Sequence, residues 1–256
     1  MQPHSMGGLD DRVVVVTGAG AGLGRAVALS FAAEGARVVG VSIDADELEA
    51  LRAAAAERGL SIQTELADVG DPERTERLAA DVHARLGAVD VLVNNAGIII
   101  VRPIGETSVE DYDRVLATNL RGPFLYCRAF LGPMVTRASG TIINVSSQSG
   151  IKGFVGESAY CPSKFGLEGL TRTLALELEG SGVRAVIVTP GAPMHTPMSE
   201  TTYDAAARAR WIDPELIAPG FVALALGDDG ISGGRFDAYR VAVDGVDAGR
   251  DPVPAG

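Results

Sequence analysis

Tyr160 and Lys164 stand four residues apart, a spacing that puts both side chains on one face of a helix. A free tyrosine loses its proton near pH ~10, too high for a good base at neutrality. A neighbouring ammonium favours the phenolate and lowers that value, so Tyr160 can pass a proton to and from an alcohol oxygen. A lone Tyr-x-x-x-Lys pair is usually only a polar helix face. A second group changes its standing. Thr17-Gly18-Ala19-Gly20-Ala21-Gly22-Leu23-Gly24 joins an apolar run to a helical stretch. Glycines let the chain turn tightly against a pyrophosphate, and the following helix offers free N–H groups and a positive dipole end. The spacing is Gly-x-x-x-Gly-x-Gly at Gly18, Gly22 and Gly24, not the Gly-x-Gly-x-x-Gly fingerprint. Its strand-to-helix setting suits a dinucleotide, with a ligand-free glycine turn as the plainer reading.

These groups must be carried by elements that the pattern also supplies. Apolar and β-branched runs predict strands over 13–16, 37–41, 61–66, 89–93, 141–145, 183–188 and 239–243. Helical stretches are expected over 22–34, 44–58, from Asp71-Pro72 onward, from Ser108 through Asn119, and over 158–179 and 214–226. Asp44 with Glu47, and Ser108 with Asp111, have capping-box spacing, and Asp71 precedes a proline suited to a first helical turn. Strand and helix in alternation mean βαβ units. The expected fold is a doubly wound α/β Rossmann fold, a parallel sheet with helices on both faces. One domain should span 1–256, with 1–10 and 249–256 as loose tails. The stretch 192–212 has no clear period and follows a strand end, where open α/β sheets place their ligands. It is expected to cover the substrate.

Composition narrows the function classes. The chain has 256 residues, 46% hydrophobic and 21% charged, ordinary globular values. Its net charge of −11 disfavours nucleic-acid partners. No apolar run approaches the roughly 20 residues of a membrane helix, and residues 1–9 do not resemble a signal peptide. Cys127 and Cys161 are not in metal or redox spacing, so no metal site and no disulfide framework is expected, and a cytoplasmic setting is.

Five further motifs join the glycine turn. Asn94-Asn95-Ala96-Gly97 ends the fourth expected strand and Thr118-Asn119-Leu120 lies in the next helix. Ser146-Ser147 ends the fifth strand, Tyr160-Cys161-Pro162-Ser163-Lys164 opens the following helix, and Pro190-Gly191 ends the sixth strand. In that order they closely resemble the short-chain dehydrogenase/reductase family, from about residue 12 to 244. The resemblance implies that Tyr160 is the general acid/base and that Lys164 also holds the cofactor ribose. It matches Ser147, thirteen residues before Tyr160, to the serine that binds the reacting oxygen, with Ser146 and Ser149 as its neighbours. It matches Asn119 to an asparagine that holds a water in a proton relay, although a helical asparagine can equally bond nearby backbone. Gly18, Gly22, Leu23 and Gly24 would face the pyrophosphate, and Asp68 and Val69 the adenine, although Asp68 can equally end its strand. Asn95, Ala96 and Gly97 would line the adenosine side, where they can also fix the central strand, and Thr118 would also contact the cofactor. Pro190, Gly191, Met194 and Thr196 would line the nicotinamide side. Relatives of this kind are commonly homotetramers, with the 158–179 helix and the C-terminal strand at interfaces.

Departures from the pattern bear on the cofactor. Ser42 stands where an acidic residue would bond the ribose hydroxyls and select NAD, and Asp44 is better explained as a helix cap. Nothing basic occurs at Ala21, Ser42 or Ile43, and Asp44, Asp46 and Glu47 would repel a 2′-phosphate. NAD is therefore expected over NADP, while a serine can also bond a 2′-phosphate and keeps NADP open. Pro193 falls where a backbone N–H would meet the nicotinamide amide, and proline has none, so Met194 is expected to supply it. Pro162 lies in a first helical turn and Cys161 is expected to be an inert buried thiol. His195, Met194, Met198, Tyr203 and Trp211 either line a partly apolar pocket or pack the loop down. The expected activity is NAD(P)-dependent interconversion of a secondary alcohol and a ketone. The alternatives are a non-catalytic dinucleotide sensor or scaffold, and a redox-neutral epimerase or dehydratase using the same site.

Overall fold

The computed structural model describes residues 8–202 and 207–251. In chain order the elements begin β1 (Val13–Thr17), α1 (Gly22–Ala33), β2 (Arg37–Ser42), α2 (Ala45–Glu57), β3 (Ile62–Leu66) and α3 (Pro72–Leu86). They continue with β4 (Val91–Asn94), α4 (Val109–Leu116), α5 (Gly122–Thr136), β5 (Gly140–Val145), α6 (Tyr160–Glu177) and β6 (Val183–Thr189). The chain then forms α7 (Pro197–Thr202), α8 (Ala218–Ala225), β7 (Arg235–Asp237), α9 (Ala238–Asp244) and α10 (Val246–Gly249). The strands make one sheet in the order β3-β2-β1-β4-β5-β6-β7, and every pair is parallel. This is the doubly wound Rossmann-type fold.

The valine-rich strands are apolar throughout because both faces are covered. Val14 and Val16 of β1 pack with α1 and α8. Val13 and Val15 point to the other side and pack with α3 and α5. That is the two-residue period of a strand, here buried on both faces. The strand order reverses between β1 and β4, so a crevice opens outside their carboxyl ends. Thr17 and Asn94, the last residues of these strands, lead into the glycine turn and the Asn94–Gly97 segment.

Several boundaries differ from the sequence expectation. The strand expected over 239–243 is the helix α9. Asp237 accepts from the Arg240 N–H at 2.9 Å and caps it, and Ala238 and Val241, three apart, are buried. The last strand is instead β7, just upstream. The helix expected to stop at Asn119 runs through a π turn over Ala117–Arg121 into α5. Pro123, which has no N–H to give to the ladder, sits two residues past that π turn, and the helix passes through it without a break. The 192–212 stretch contains α7, a 3-10 turn over Ala207–Arg210, and a bridge between Met194 and Ile212. Of the ends expected to be loose, residues 1–7 and 252–256 lie outside the described residues. The rest is anchored: Leu9 is buried, Gly249 closes α10, and Asp251 pairs with Arg235.

Candidate active site

The glycine turn is held open by its neighbours. Gly18 and Gly22 have φ of 63° and 52°, values that side chains disfavour. A Cβ on Gly18 would stand 2.8 Å from the Ala96 Cα, so the turn must be bare where it meets the end of β4. Asn95 ties the two together: its Nδ2 donates to the carbonyls of Thr17 (3.0 Å) and Gly18 (3.2 Å). Its N–H and that of Ala96 donate to Thr17 Oγ1. The expected strand-fixing role of Asn95 and Ala96 is thus visible in bonds. Thr196 reaches back to the same turn, since a Cβ on Gly22 would lie 3.0 Å from its Cβ and Cγ2. Leu23 and Gly24, in the first turn of α1, are buried.

Tyr160 opens α6 and Lys164 follows one turn later. The Lys164 Nζ lies 5.6 Å from the centre of the Tyr160 ring and donates to the Val145 carbonyl at 2.8 Å. Burial pushes the Lys164 ammonium down to about 8, partly opposed by the Glu168 carboxylate. Asn119 sits in the π turn, a distortion often found at functional sites. Its Oδ1 accepts from the Ile98 N–H and its Nδ2 donates to the Ile98 carbonyl, both at 2.9 Å. The Nδ2 also reaches Ser163 Oγ at 3.1 Å. A Cβ on Gly97 would stand 3.3 Å from Asn119 Oδ1 and 3.7 Å from Lys164 Nζ. Asn119, Lys164 and Gly97 therefore converge at the carboxyl end of β4, with Thr118 half-buried beside them.

The paired serines at the end of β5 have different fates. Ser146 turns inward and donates to Glu168 at 2.7 Å. Ser147 is only half-buried, and its hydroxyl meets the N–H and hydroxyl of Ser149, at 3.2 and 3.4 Å. Behind them lie groups that the sequence reading did not single out. Buried Arg235 donates to Glu168 at 3.0 Å and to the Ser147 carbonyl at 3.0 Å. Ser149 Oγ donates to the buried Glu157 carboxylate at 2.7 Å. The Cys161 thiol donates to the same carboxylate at 3.3 Å, and burial raises its pKa, as suits an unreactive thiol. No local signal marks Arg235 or Glu157; their partners lie in other elements.

On the adenosine side Ser42 is buried at the end of β2. Asp68 accepts from the Gly70 N–H at 2.8 Å, a turn at the strand end, while Val69 packs against Gly122. Asp44 caps α2 through the N–H groups of Asp46 and Glu47. In the covering stretch, Ile212 bonds the Pro193 carbonyl and the His195 N–H, both at 3.0 Å. A parallel bridge of this kind turns the N–H of Met194 to the opposite edge. Trp211 is buried with His195 edge-on at 5.3 Å. Met198 is exposed, Gly191 abuts Asp237, and Pro190 accepts from the Tyr239 N–H. Tyr203 lies outside the described residues. No helix among them is long and apolar enough to cross a membrane.

Residues 12–207 match the short chain dehydrogenase family. D-threitol dehydrogenase of Mycolicibacterium smegmatis is 39% identical over 187 residues, 71% of this chain and 70% of that protein. The crystal structure of levodione reductase superposes with a TM-score of 0.83 at 32% identity, over 93% of this chain and all of that one. A metagenomic short-chain oxidoreductase in complex with NADP gives a TM-score of 0.77 at 33% identity, over 88% and 95%. The chain belongs to the short-chain dehydrogenase/reductase family and is an oxidoreductase.

Proposed function

We propose that the protein interconverts a secondary alcohol and a ketone with a nicotinamide dinucleotide, NAD in preference to NADP. The observation that carries this reading is the placement of Lys164, a buried ammonium one helical turn from Tyr160 and beside Gly97. An ammonium in so dry a place is held there for a purpose other than stability, because burial works against its charge. The relatives named for an alcohol and a ketone substrate point to the same chemistry.

The bare glycine turn and the converging strand ends suit a dinucleotide. Gly18, Gly22, Leu23 and Gly24 would hold its pyrophosphate, and Ser42, Asp68, Val69, Asn95, Ala96 and Gly97 its adenosine half, with Thr118 also in contact with it. Tyr160 and Lys164 would hold the nicotinamide ribose. Pro190, Gly191, Met194 and Thr196 would flank the nicotinamide, with the Met194 N–H replacing the donor that Pro193 lacks. When bound, the cofactor supplies the carbon that takes or gives the hydride. The chain's own residues do the rest. Tyr160 removes the hydroxyl proton in oxidation and returns it in reduction. Lys164 stabilises the phenolate that this exchange requires. Ser147, whose hydroxyl is not committed to the interior, binds the reacting oxygen and stabilises its charge. Asn119 holds the end of a water path that refills the proton.

Exposed Phe124 on α5 lines a groove with Leu116, Leu120 and Leu170, and Phe165 and Leu176 are exposed on α6. This apolar strip supports a homotetramer, and a sedimentation run giving a stable monomer would rule it out. Two buried free thiols suit a cytoplasmic setting. The decisive experiment on the activity is Tyr160→Phe. Turnover of secondary alcohols should fall by roughly 10²–10⁴-fold while cofactor binding persists. Full activity in this variant would refute the mechanism.

A further inference from the structure

We propose that Glu47, from the first turn of α2, reads the adenosine ribose hydroxyls and turns away a 2′-phosphate, taking over from the acid that Ser42 replaces. This rests on the dinucleotide reading above and adds a selectivity residue to it. A glutamate three residues after a helix cap ordinarily folds back to the N–H of that cap. Here it does not. The Asp44 N–H donates to Ser42 Oγ at 3.2 Å. Ser42 Oγ in turn donates to Glu47 Oε2 at 3.0 Å. The capping box is half formed, and the carboxylate is drawn off the helix end, across the tip of β2.

Its destination is the glycine turn. A Cβ on Gly20 would fall 2.5 Å from both Glu47 Cβ and Glu47 Oε2, and 3.1 Å from Ser42 Oγ. Gly20 is not one of the glycines with positive φ, so its backbone does not demand glycine. The room that Glu47 occupies does. Glu47 enters no ion pair among the described residues. Arg25, which lies near the turn, directs its Nε to the Gly20 carbonyl at 2.8 Å. A carboxylate thus overhangs the cleft at the carboxyl ends of β1 and β2, where doubly wound proteins bind the adenosine ribose. Its two oxygens can accept from two neighbouring hydroxyls, as charge-assisted bonds. A 2′-phosphate would set like charges together. Ser42 is then a positioning residue: buried, it steers the carboxylate.

The test is titration of the cofactor-free protein with NADH and, separately, NADPH, for wild type, Glu47→Gln, Ser42→Ala and Asp46→Asn. Wild type should favour NADH. Glu47→Gln should weaken NADH by roughly 10- to 100-fold, the range of a lost hydrogen bond to a charged group, and should tighten NADPH. Ser42→Ala should move the preference the same way by less, and Asp46→Asn, an equal loss of charge on the open helix face, should move it least of the three. A urea midpoint matching wild type shows that each variant is folded. A wild type that binds a nicotinamide dinucleotide, with a preference that Glu47→Gln does not change, overturns this inference alone. So does a wild-type preference for NADPH. A folded wild type that binds neither cofactor overturns the dinucleotide reading and this inference with it.

Discussion

Lys164→Met should make the protein more stable and inactive at once. Lys164 is fully enclosed, and burial lowers its ammonium from 10.5 to about 8. At about 1.4 kcal/mol per pH unit, that fall corresponds to about 3 kcal/mol of destabilisation when the group is charged. Methionine keeps the length of the side chain and removes the charge. It also removes the bond to the Val145 carbonyl, worth about 1 kcal/mol, so the net gain at pH 7 is about 2 kcal/mol. The sign with pH follows from linkage. The unfolded chain holds the Lys164 proton up to 10.5, whereas the folded protein releases it near 8. Between these values the unfolded state binds more protons, so wild-type stability rises with pH and the advantage of the variant disappears. The assay is urea unfolding without cofactor, at pH 7 and again near pH ~10.5, at equal protomer concentration. Only one other lysine, Lys152, occurs in the chain, and it is common to both proteins. A variant no more stable than wild type at pH 7, or an advantage equal at both pH values, would refute the reasoning. Turnover should collapse in either case, because Tyr160 loses its ammonium.

The two adjacent serines should separate stability from activity. Ser146→Ala removes a donor from buried Glu168 and should lower stability by about 1–3 kcal/mol, read from urea midpoints. Ser147→Ala should leave the midpoint close to wild type and reduce kcat by roughly 10²–10³-fold, as the loss of a donor to the reacting oxygen does. Arg235→Leu removes the buried cation from Glu168, which keeps Ser146 and the half-exposed Arg172, and should destabilise by about 1–3 kcal/mol. It also frees the Ser147 carbonyl, so any folded fraction should show reduced kcat. Asp237→Ala removes the cap of α9 and should lower the thermal midpoint by an amount equivalent to about 1 kcal/mol.

Much of the architecture was legible because its causes are local. The valine run of β1 and the glycine turn after it are contiguous, so their composition alone announces a buried strand and a tight turn into a helix. Asp71-Pro72 and Ser108 are helix starts for the same reason, and both cap as expected. The Tyr160–Lys164 spacing needs only the pitch of a helix. The local reading went astray where a short segment carried two patterns. Residues 239–243 alternate like a strand, but Asp237 caps them into a helix. The helix expected to end at Asn119 continues through a π turn into α5.

The sequence by itself therefore determined the fold, the family and the helical spacing of Tyr160 and Lys164, all of which rest on neighbours in the chain. Only the tertiary structure decided which serine faces inward, since that depends on Glu168, 22 residues away. It alone brought Arg235 to Ser147 across 88 residues. It also redirected Glu47 from its helix cap toward Ser42 and the space above Gly20. Each of these turns on which buried polar group finds a partner, and a buried polar group takes whichever donor or acceptor the packing of distant elements brings within reach.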